Sequence, residues 1–298
     1  MMDTKLLKKY KFGKLIENAN LKEYTTYKVG GTAKAIIFPK DVKNLIELLH
    51  FLKKINIKYK ILGNGSNLIF SDDGFDGVLI KLDELDKLEV NRELVKVGAG
   101  YNLMKLSLKV TKLGLAGLEF AAGVPGTVGG AVFMNAGCYG SDVGYVLKEA
   151  KILTPDLKII TMKNRELNFH YRTSFLKENK NYICLEATFL LKKHNKDELL
   201  EIINDRKKRR IKEQPLEYPS AGSVFRNPKN MFVAKLIEDL GYKGKNIGGA
   251  YVSEKHANFI INKENATATD IKMLVNKIKE EVKKEYNIEI KEEQEFVE

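Results

Sequence analysis

Residues 117–142 constrain this chain more than any other part of it. They read GLEFAAGVPGTVGGAVFMNAGCYGSD and carry seven glycines and one proline. Each glycine adds backbone entropy and leaves no side chain to pack, so no helix or strand of ordinary length tolerates that density. The stretch reads as a loop running into a helix start, where bare N–H groups can lie against a phosphate. Gly123, Gly126, Gly129 and Gly130 let the backbone approach a ligand, and Pro125 fixes one φ angle. The same residues also fit a glycine-rich structural turn with no ligand. Upstream, residues 62–67 read LGNGSN after the apolar residues 57–61. A strand ending in such a turn offers backbone N–H groups and two side-chain amides, which again suits a pyrophosphate. It is not the dinucleotide fingerprint that opens a helix, because Ser66 and Asn67 lead into a second apolar, strand-like run. Two such loops about sixty residues apart suggest one large dinucleotide held between two lobes.

The remaining periodicities supply an α/β framework. Residues 1–23 are Lys-rich and read as a helical lead-in. A short strand over 35–38 stops at Pro39, and Asp41 caps a helix through about 54 whose apolar face holds Val42, Leu45, Ile46, Leu49 and Leu52. Strands at 58–62, 67–71 and 77–81 complete a first lobe, residues 1–81. A second lobe, 82–195, contains a strand at 94–98, a helix over 103–113 closed by Gly114, the glycine-rich stretch, and strands at 150–153, 158–162 and 182–191, the last continuous enough to be central. A third lobe, 196–298, starts with a charged helix over 197–212 ended by Pro215 and Pro219. A helix near 231–240 closed by Gly241, a strand at 258–262 and a last helix follow. That last helix has Thr267 as N-cap, Asp270 three residues on, and Ile271, Leu274, Val275, Ile278 and Val282 as its buried stripe.

Charge and cysteine usage narrow the function. Of the 298 residues, 51 are Lys or Arg against 39 Asp or Glu, a formal net charge of +12. The lysines are spread along the chain, as in a Lys-rich proteome, and the excess also suits anionic ligands. Only Arg206, Lys207, Lys208, Arg209 and Arg210 cluster. They read as a solvated helix face, a contact near a nucleotide, or a nucleic-acid contact; the aromatic interleaving expected of the last is missing. Cys138 and Cys184 make no disulfide framework and read as reduced thiols. His50, His170, His194 and His256 show no ligand spacing, so no metal site is expected. The first residues lack an apolar signal-peptide core, and no apolar run approaches a membrane span, so the expected location is the cytoplasm, with no membrane partner.

Six segments, in order, carry a resemblance: YKVGG (27–31), LGNGSN, GVPGTVGGAVFMNAGCYG, YRTS (171–174), SAGSVFRNP (220–228) and GGAYVSEKHANFIIN (248–262). Together they resemble the UDP-N-acetylenolpyruvoylglucosamine reductase (MurB) family from about residue 24 onwards. The resemblance implies an α+β chain: a two-lobed FAD-binding domain of the PCMH/vanillyl-alcohol-oxidase type plus a C-terminal α/β substrate-binding domain. It implies non-covalent FAD, NADPH as co-substrate, a UDP-sugar substrate, no nucleic-acid partner and a monomer. Only about ten residues separate Arg172 from the strand at 182, so the chain resembles the short subtype that lacks an inserted tyrosine loop.

The implied reaction reduces the enolpyruvyl double bond of UDP-N-acetylglucosamine enolpyruvate. Charge develops at the carbon next to a carboxylate, so the site needs a cation or hydrogen-bond donors on that carboxylate and one proton donor on the side opposite the flavin. By resemblance, Arg172 meets the carboxylate, Ser223 donates the proton, and Glu293 is the catalytic glutamate. On residue chemistry alone, Arg172 is equally a surface ion-pair residue, Ser223 a turn hydroxyl and Glu293 one of several acids near the end. The family usually has Pro before that glutamate and Arg two residues after it. Here those positions hold Glu292 and Glu295, so either another cation serves or the register slips to Glu292. Tyr251 replaces a common glutamine. Gly63, Asn64, Gly65, Ser66 and Asn67 in the first loop, and Gly123, Pro125, Gly126, Thr127 and Gly130 in the second, are implied to hold the FAD pyrophosphate. Tyr27, Gly30, Asn135 and Gly137 are placed nearby. Asn227 and His256 match positions near the substrate, and Lys212 or Arg226 is matched to its phosphates. Another FAD oxidoreductase of the same flavin fold, or a basic nucleic-acid binder, are the competing readings; the first need not carry SAGSVFRNP or YRTS, and the second predicts a colourless protein.

Overall fold

Capping and burial explain the helices directly. In the computed structural model, which describes residues 4–298, the helix Val42–Lys54 starts where the Asp41 carboxylate accepts from the Asn44 N–H at 2.8 Å. It buries Leu45, Leu48, Leu49 and Leu52, the i, i+3, i+4, i+7 face of an amphipathic helix. The helix Leu103–Lys112 is capped by Asn102 and followed by Gly114 at φ +69°, the left-handed residue that ends the turn. Both belong to the first of two compact units, which comprises Ala35–Asn64, Gly77–Lys208 and the described residues up to Glu17.

The first unit holds a five-stranded antiparallel sheet in the order Ile159–Lys163, Leu147–Leu153, Ile183–Leu190, Leu94–Gly98, Leu88–Asn91. The central strand is buried at Ile183, Cys184 and Leu185 and alternates beyond them, and Val95, Val97, Ile152, Ala187 and Phe189 enter one continuous core. Tyr59–Leu62 pairs in parallel with Phe75–Lys81, with Tyr59 opposite Val78 and Leu62 opposite Lys81. Within the glycine-rich stretch a 3-10 turn, Glu119–Gly123, precedes the helix Val128–Met134.

The second unit comprises Asn18–Lys34, Gly65–Asp76 and Arg209–Glu298 and has its own core. The helix Ala268–Tyr286 is nucleated by a reciprocal capping box between Thr267 and Asp270 and buries Ile271, Leu274, Val275, Ile278 and Val282. At roughly 2 kcal/mol per buried aliphatic side chain, that stripe outweighs helix propensity, and a charge at Ile278 would break it. Asp72 adds a distant cap, accepting from the Ala268 and Thr269 N–H groups at 2.8 and 2.9 Å and from the Thr269 hydroxyl at 2.7 Å. The strands Asn246–Ile247, Ala250–Val252 and Ile260–Asn262 form a three-stranded antiparallel sheet. Glu295–Val297 pairs in parallel with Leu68–Phe70.

The helical lead-in needs correction. Thr4–Tyr10 is α-helical and Leu21–Glu23 a single 3-10 turn, but Gly13–Asn20 between them is a strand, and residues 1–3 lie outside the described residues. Gly13 is packed so closely that a Cβ there would meet Phe38 O, and that close approach favours the extended edge over another helical turn. Among the described residues no helix is long and apolar enough to cross a membrane, and no group of His, Cys, Asp and Glu could hold a metal ion.

Candidate active site

Two loops of the first unit meet. A Cβ on Gly63 would lie 2.9 Å from the Thr127 hydroxyl, so glycine is what allows the turn at residues 63–64 to sit against residues 123–130. Thr127 caps the helix Val128–Met134, accepting from the Gly130 N–H at 3.2 Å. The Gly126 carbonyl accepts from the Leu103 N–H at 2.9 Å, and a Cβ on Gly126 would meet nothing within 4 Å, which leaves its surroundings open to a ligand. Beneath the first turn Lys81, only 8% exposed, donates to Gly63 O at 2.7 Å and pairs with Asp83 at 3.3 Å. Of the residues named for the cofactor in these two turns, Pro125 has no N–H, and the Gly126 and Gly130 N–H groups donate within the loop, to Val124 O at 2.9 Å and to the Thr127 hydroxyl at 3.2 Å. Gly63, Asn64, Gly123 and Thr127 contribute backbone amides, a side-chain amide and a hydroxyl, and no carboxylate stands among the seven, a lining that fits a pyrophosphate.

Arg172 belongs to the same unit. It takes a left-handed φ of +56° in a tight turn closed by mutual His170 and Thr173 backbone hydrogen bonds of 3.1 Å. A non-glycine residue in that region costs about 1 kcal/mol, and the surroundings hold it there. The buried Ser174 hydroxyl donates to Phe133 O at 2.7 Å, and Asn135 Nδ2 donates to His170 O at 2.9 Å. The guanidinium donates to Gly137 O at 2.7 Å and lies 5.0 Å from the centre of the Tyr171 ring. Arg172 and Gly137 are therefore neighbours. Asn135, 2% exposed and itself left-handed as the helix cap, uses its other amide atom to accept from the Gly144 N–H at 2.9 Å. Its side chain thus shapes the Arg172 turn.

In the second unit Ser223 and Glu293 are brought together. Residues 291–294 run antiparallel to residues 221–226: the Glu293 N–H donates to Val224 O at 2.8 Å, and the Arg226 N–H to Lys291 O at 2.9 Å. Asn258, 4% exposed, clamps the same loop from the other side. Its Oδ1 accepts from the Phe225 N–H at 3.0 Å, its Nδ2 donates to Phe225 O at 2.9 Å, and its carbonyl accepts from the Val224 N–H at 2.9 Å. Asn67 Nδ2 donates to Glu293 O at 3.0 Å, and Asn67 O accepts from the Glu295 N–H at 2.9 Å. Glu292 points elsewhere, pairing with Lys279 at 2.6 Å. Ser223 follows Gly222, whose φ is +75°.

The other named residues of this unit differ in setting. Tyr27 is fully buried, and burial raises its hydroxyl pKa against the opposing effect of the Gln294 amide. Gly30, at φ +109°, packs on Phe70, and Gly65, at φ +62°, packs on the Tyr24 carbonyl; Ser66 is half-buried. Burial lowers the His256 pKa; its Nδ1 accepts from the Asn258 N–H at 3.2 Å, so the neutral ring carries its proton on Nε2. Asn227 accepts from the Val233 N–H at 3.1 Å, and Lys212 is exposed. The Arg226 Nε is buried with no hydrogen-bond partner among the described residues. Asn258, Gln294 and Lys81 are the residues that sequence reasoning passed over. Asn258 lay inside a quoted motif; the other two act on carbonyls remote in sequence and gave no local signal.

A profile described as FAD binding domain matches residues 33–163, and one described as UDP-N-acetylenolpyruvoylglucosamine reductase, C-terminal domain, matches residues 214–297. UDP-N-acetylenolpyruvoylglucosamine reductases of Anoxybacillus flavithermus and Bacillus licheniformis are each 44% identical, over 96% and 98% of this chain and 95% and 96% of theirs. The crystal structure of the Thermus caldophilus enzyme superposes with a TM-score of 0.82 at 32% identity, covering 96% of this chain and 98% of that one. An FAD-binding domain joined to a reductase-type C-terminal domain, matched by relatives along nearly the whole length, places this chain in the UDP-N-acetylenolpyruvoylglucosamine reductase (MurB) family.

Proposed function

We propose that this chain reduces the enolpyruvyl double bond of UDP-N-acetylglucosamine enolpyruvate to give UDP-N-acetylmuramate for peptidoglycan synthesis. The cofactor of this reading is non-covalent FAD and the reductant NADPH. FAD, when bound, carries the electron pair from NADPH to the double bond. Its pyrophosphate is assigned to the turns at residues 63–67 and 123–130, with Tyr27, Gly30, Asn135 and Gly137 nearby. The FAD-binding part of this reading is residues 1–81 and 82–195, and the substrate-binding part residues 196–298; the order of the two matched profiles, 33–163 and then 214–297, supports an FAD-binding part followed by a substrate-binding part. Both substrates carry phosphate charge that does not cross a bilayer unaided, so the reaction belongs in the cytoplasm. We treat the enzyme as a monomer.

Arg172 meets the substrate carboxylate. Its planar, permanently charged fork matches an enolate carboxylate, and its left-handed turn fixes the direction of the guanidinium. Ser223 gives the proton to the carbon beside that carboxylate. A serine hydroxyl is a poor acid, so it serves only against a strongly basic carbon held in line with it. Glu293 is the partner carboxylate of this reading; its neighbour Glu292 pairs with Lys279. Arg226, with an unpartnered buried Nε, offers a charged donor to a substrate phosphate. Lys212, Asn227 and His256 complete the substrate contacts of this reading.

The observation that carries it is the 2.8 Å hydrogen bond from the Glu293 N–H to Val224 O, by which the segment of the proposed glutamate runs alongside the loop of the proposed proton donor. Anaerobic stopped-flow of Ser223→Ala tests it. NADPH should reduce the bound FAD at near wild-type rate, while reoxidation by UDP-N-acetylglucosamine enolpyruvate slows by about 100-fold or more. Equal loss in both halves would remove Ser223 from its role. Glu293→Gln should slow the same half, and Glu292→Gln should not.

A further inference from the structure

We infer that Gln294 is a positioning residue that holds the Ser223 loop for proton delivery, an inference that rests on Ser223 being the proton donor. The Gln294 side chain is only 5% exposed, and its Nε2 donates to Ala221 O and to Gly222 O, both at 3.1 Å. Carbonyls only accept, so the amide nitrogen is the atom that faces them. These two carbonyls belong to the residues that immediately precede Ser223.

The rest of the loop shows why the contact matters. Upstream, Pro219 O is held by the Asn262 N–H at 2.9 Å. Downstream, Val224 and Phe225 are held by Asn258 and by the Glu293 N–H. Between those anchors Gly222 has a φ of +75°, and a Cβ there would meet nothing within 4 Å, so packing does not fix it. The Gln294 amide spans this gap. It also follows Glu293 directly in the chain, so one extended segment carries the proposed carboxylate and sets the backbone that presents the hydroxyl. Gln294 Oε1 is buried without a hydrogen-bond partner among the described residues, and the amide also lies close enough to the Tyr27 hydroxyl to lower its pKa although the two make no hydrogen bond of good geometry, so the well-formed bonds of this side chain are those to the two loop carbonyls.

A side chain of similar length that cannot donate releases Ala221 and Gly222 and lets the Ser223 hydroxyl drift. Misplacement on the ångström scale costs on the order of 100-fold in a positioned step. NADPH oxidation does not use Ser223 and is spared.

The test uses the FAD-loaded full chain and two variants, Gln294→Met and Gln294→Glu, in anaerobic stopped-flow with each half-reaction read separately. The expected result is an unchanged NADPH half-reaction and a fall in the second half-reaction of about 10- to 100-fold for Met. The fall should be larger for Glu, whose carboxylate faces the two carbonyls. In steady state the loss should appear in kcat rather than in KM for the UDP-sugar. A role in packing alone predicts the reverse order, because Glu is the closer isostere. In a Ser223→Ala background, Gln294→Met should cost nothing further, since it acts through a hydroxyl no longer present. Wild-type rates in both variants, equal loss in both half-reactions, Glu milder than Met, or an undiminished loss in the Ser223→Ala background would each overturn the inference. Failure of the proton-donor reading is seen separately, as a wild-type second half-reaction in Ser223→Ala alone.

Discussion

Replacing Asn258 by Ala would leave two backbone groups of Phe225 unpaired inside the second unit. Phe225 is 1% exposed, and its N–H and C=O are paired with the two ends of the Asn258 amide at 3.0 and 2.9 Å. An unsatisfied buried donor or acceptor costs about 1–3 kcal/mol, so the pair together should cost about 4 kcal/mol. For a unit of this size each kcal/mol moves the midpoint by roughly 3–6 °C, and thermal unfolding at fixed saturating FAD should show a fall of about 12–24 °C. Asn258→Asp keeps the acceptor for the Phe225 N–H but turns an oxygen toward Phe225 O, so it should recover about half the loss at most. Asn227→Ala, which removes one cap-like bond to Val233 at an exposed site, is the control and should cost about 1 kcal/mol. Because Val224 and Phe225 directly follow Ser223, the folded fraction of Asn258→Ala should also be slow in the second half-reaction. A loss below about 1 kcal/mol, indistinguishable from the Asn227 control, would refute the view that this amide pins the loop.

Three further outcomes follow from the geometry. Asp72→Ala removes three hydrogen bonds from the start of the helix Ala268–Tyr286 and should cost about 1–2 kcal/mol by urea unfolding. Burial pushes the Asp72 carboxyl up, but its bonds to Ala268 and Thr269 and the Lys22 charge prevail and lower its pKa. A depressed folded pKa means that the Asp72 contribution is present above the ordinary carboxylate range and vanishes as pH falls through the lowered value, so wild type and Asp72→Ala should converge in acid. Gly65→Ala forces a left-handed residue at φ +62° against the Tyr24 carbonyl, and should cost about 3 kcal/mol or more in the same assay. Burial pushes the Cys184 thiol up to about 12, so iodoacetamide at mildly alkaline pH should spare Cys184 in the native protein and label it after denaturation.

What the sequence made legible was what is decided locally. Asp41, Thr267 with Asp270, Gly114 and Gly241 mark helix ends by chemistry that acts within four residues, and the structure uses each as expected. The helix start in the glycine-rich stretch and the central position of the strand near 183–190 were readable for the same reason. What escaped depends on partners far along the chain. Gly13–Asn20 is extended because it lies beside Thr32–Pro39, and its own sequence alternates too weakly to show it. Glu295–Val297 is a strand only through Leu68–Phe70, a pairing with no local trace. The site divides likewise. Motifs located the loops at residues 63–67, 123–130 and 220–228, but the second jobs of Asn67 and Asn135, as clamps on Glu293 and on the Arg172 turn, appear only in three dimensions.

The parallel pairing of residues 295–297 with 68–70 has a consequence for biosynthesis. Leu68–Phe70 is made early, yet it gains its neighbour, and the Ser71 N–H its acceptor on Val297, only after residue 297 has left the ribosome. The second unit therefore cannot close before residue 297 has been made, and its earliest segments wait with an open strand edge. Proteolytic loss of a few residues at that far end would leave the nascent edge unsealed and Glu293 without its rail, so a clipped chain would be marked by its own exposed backbone.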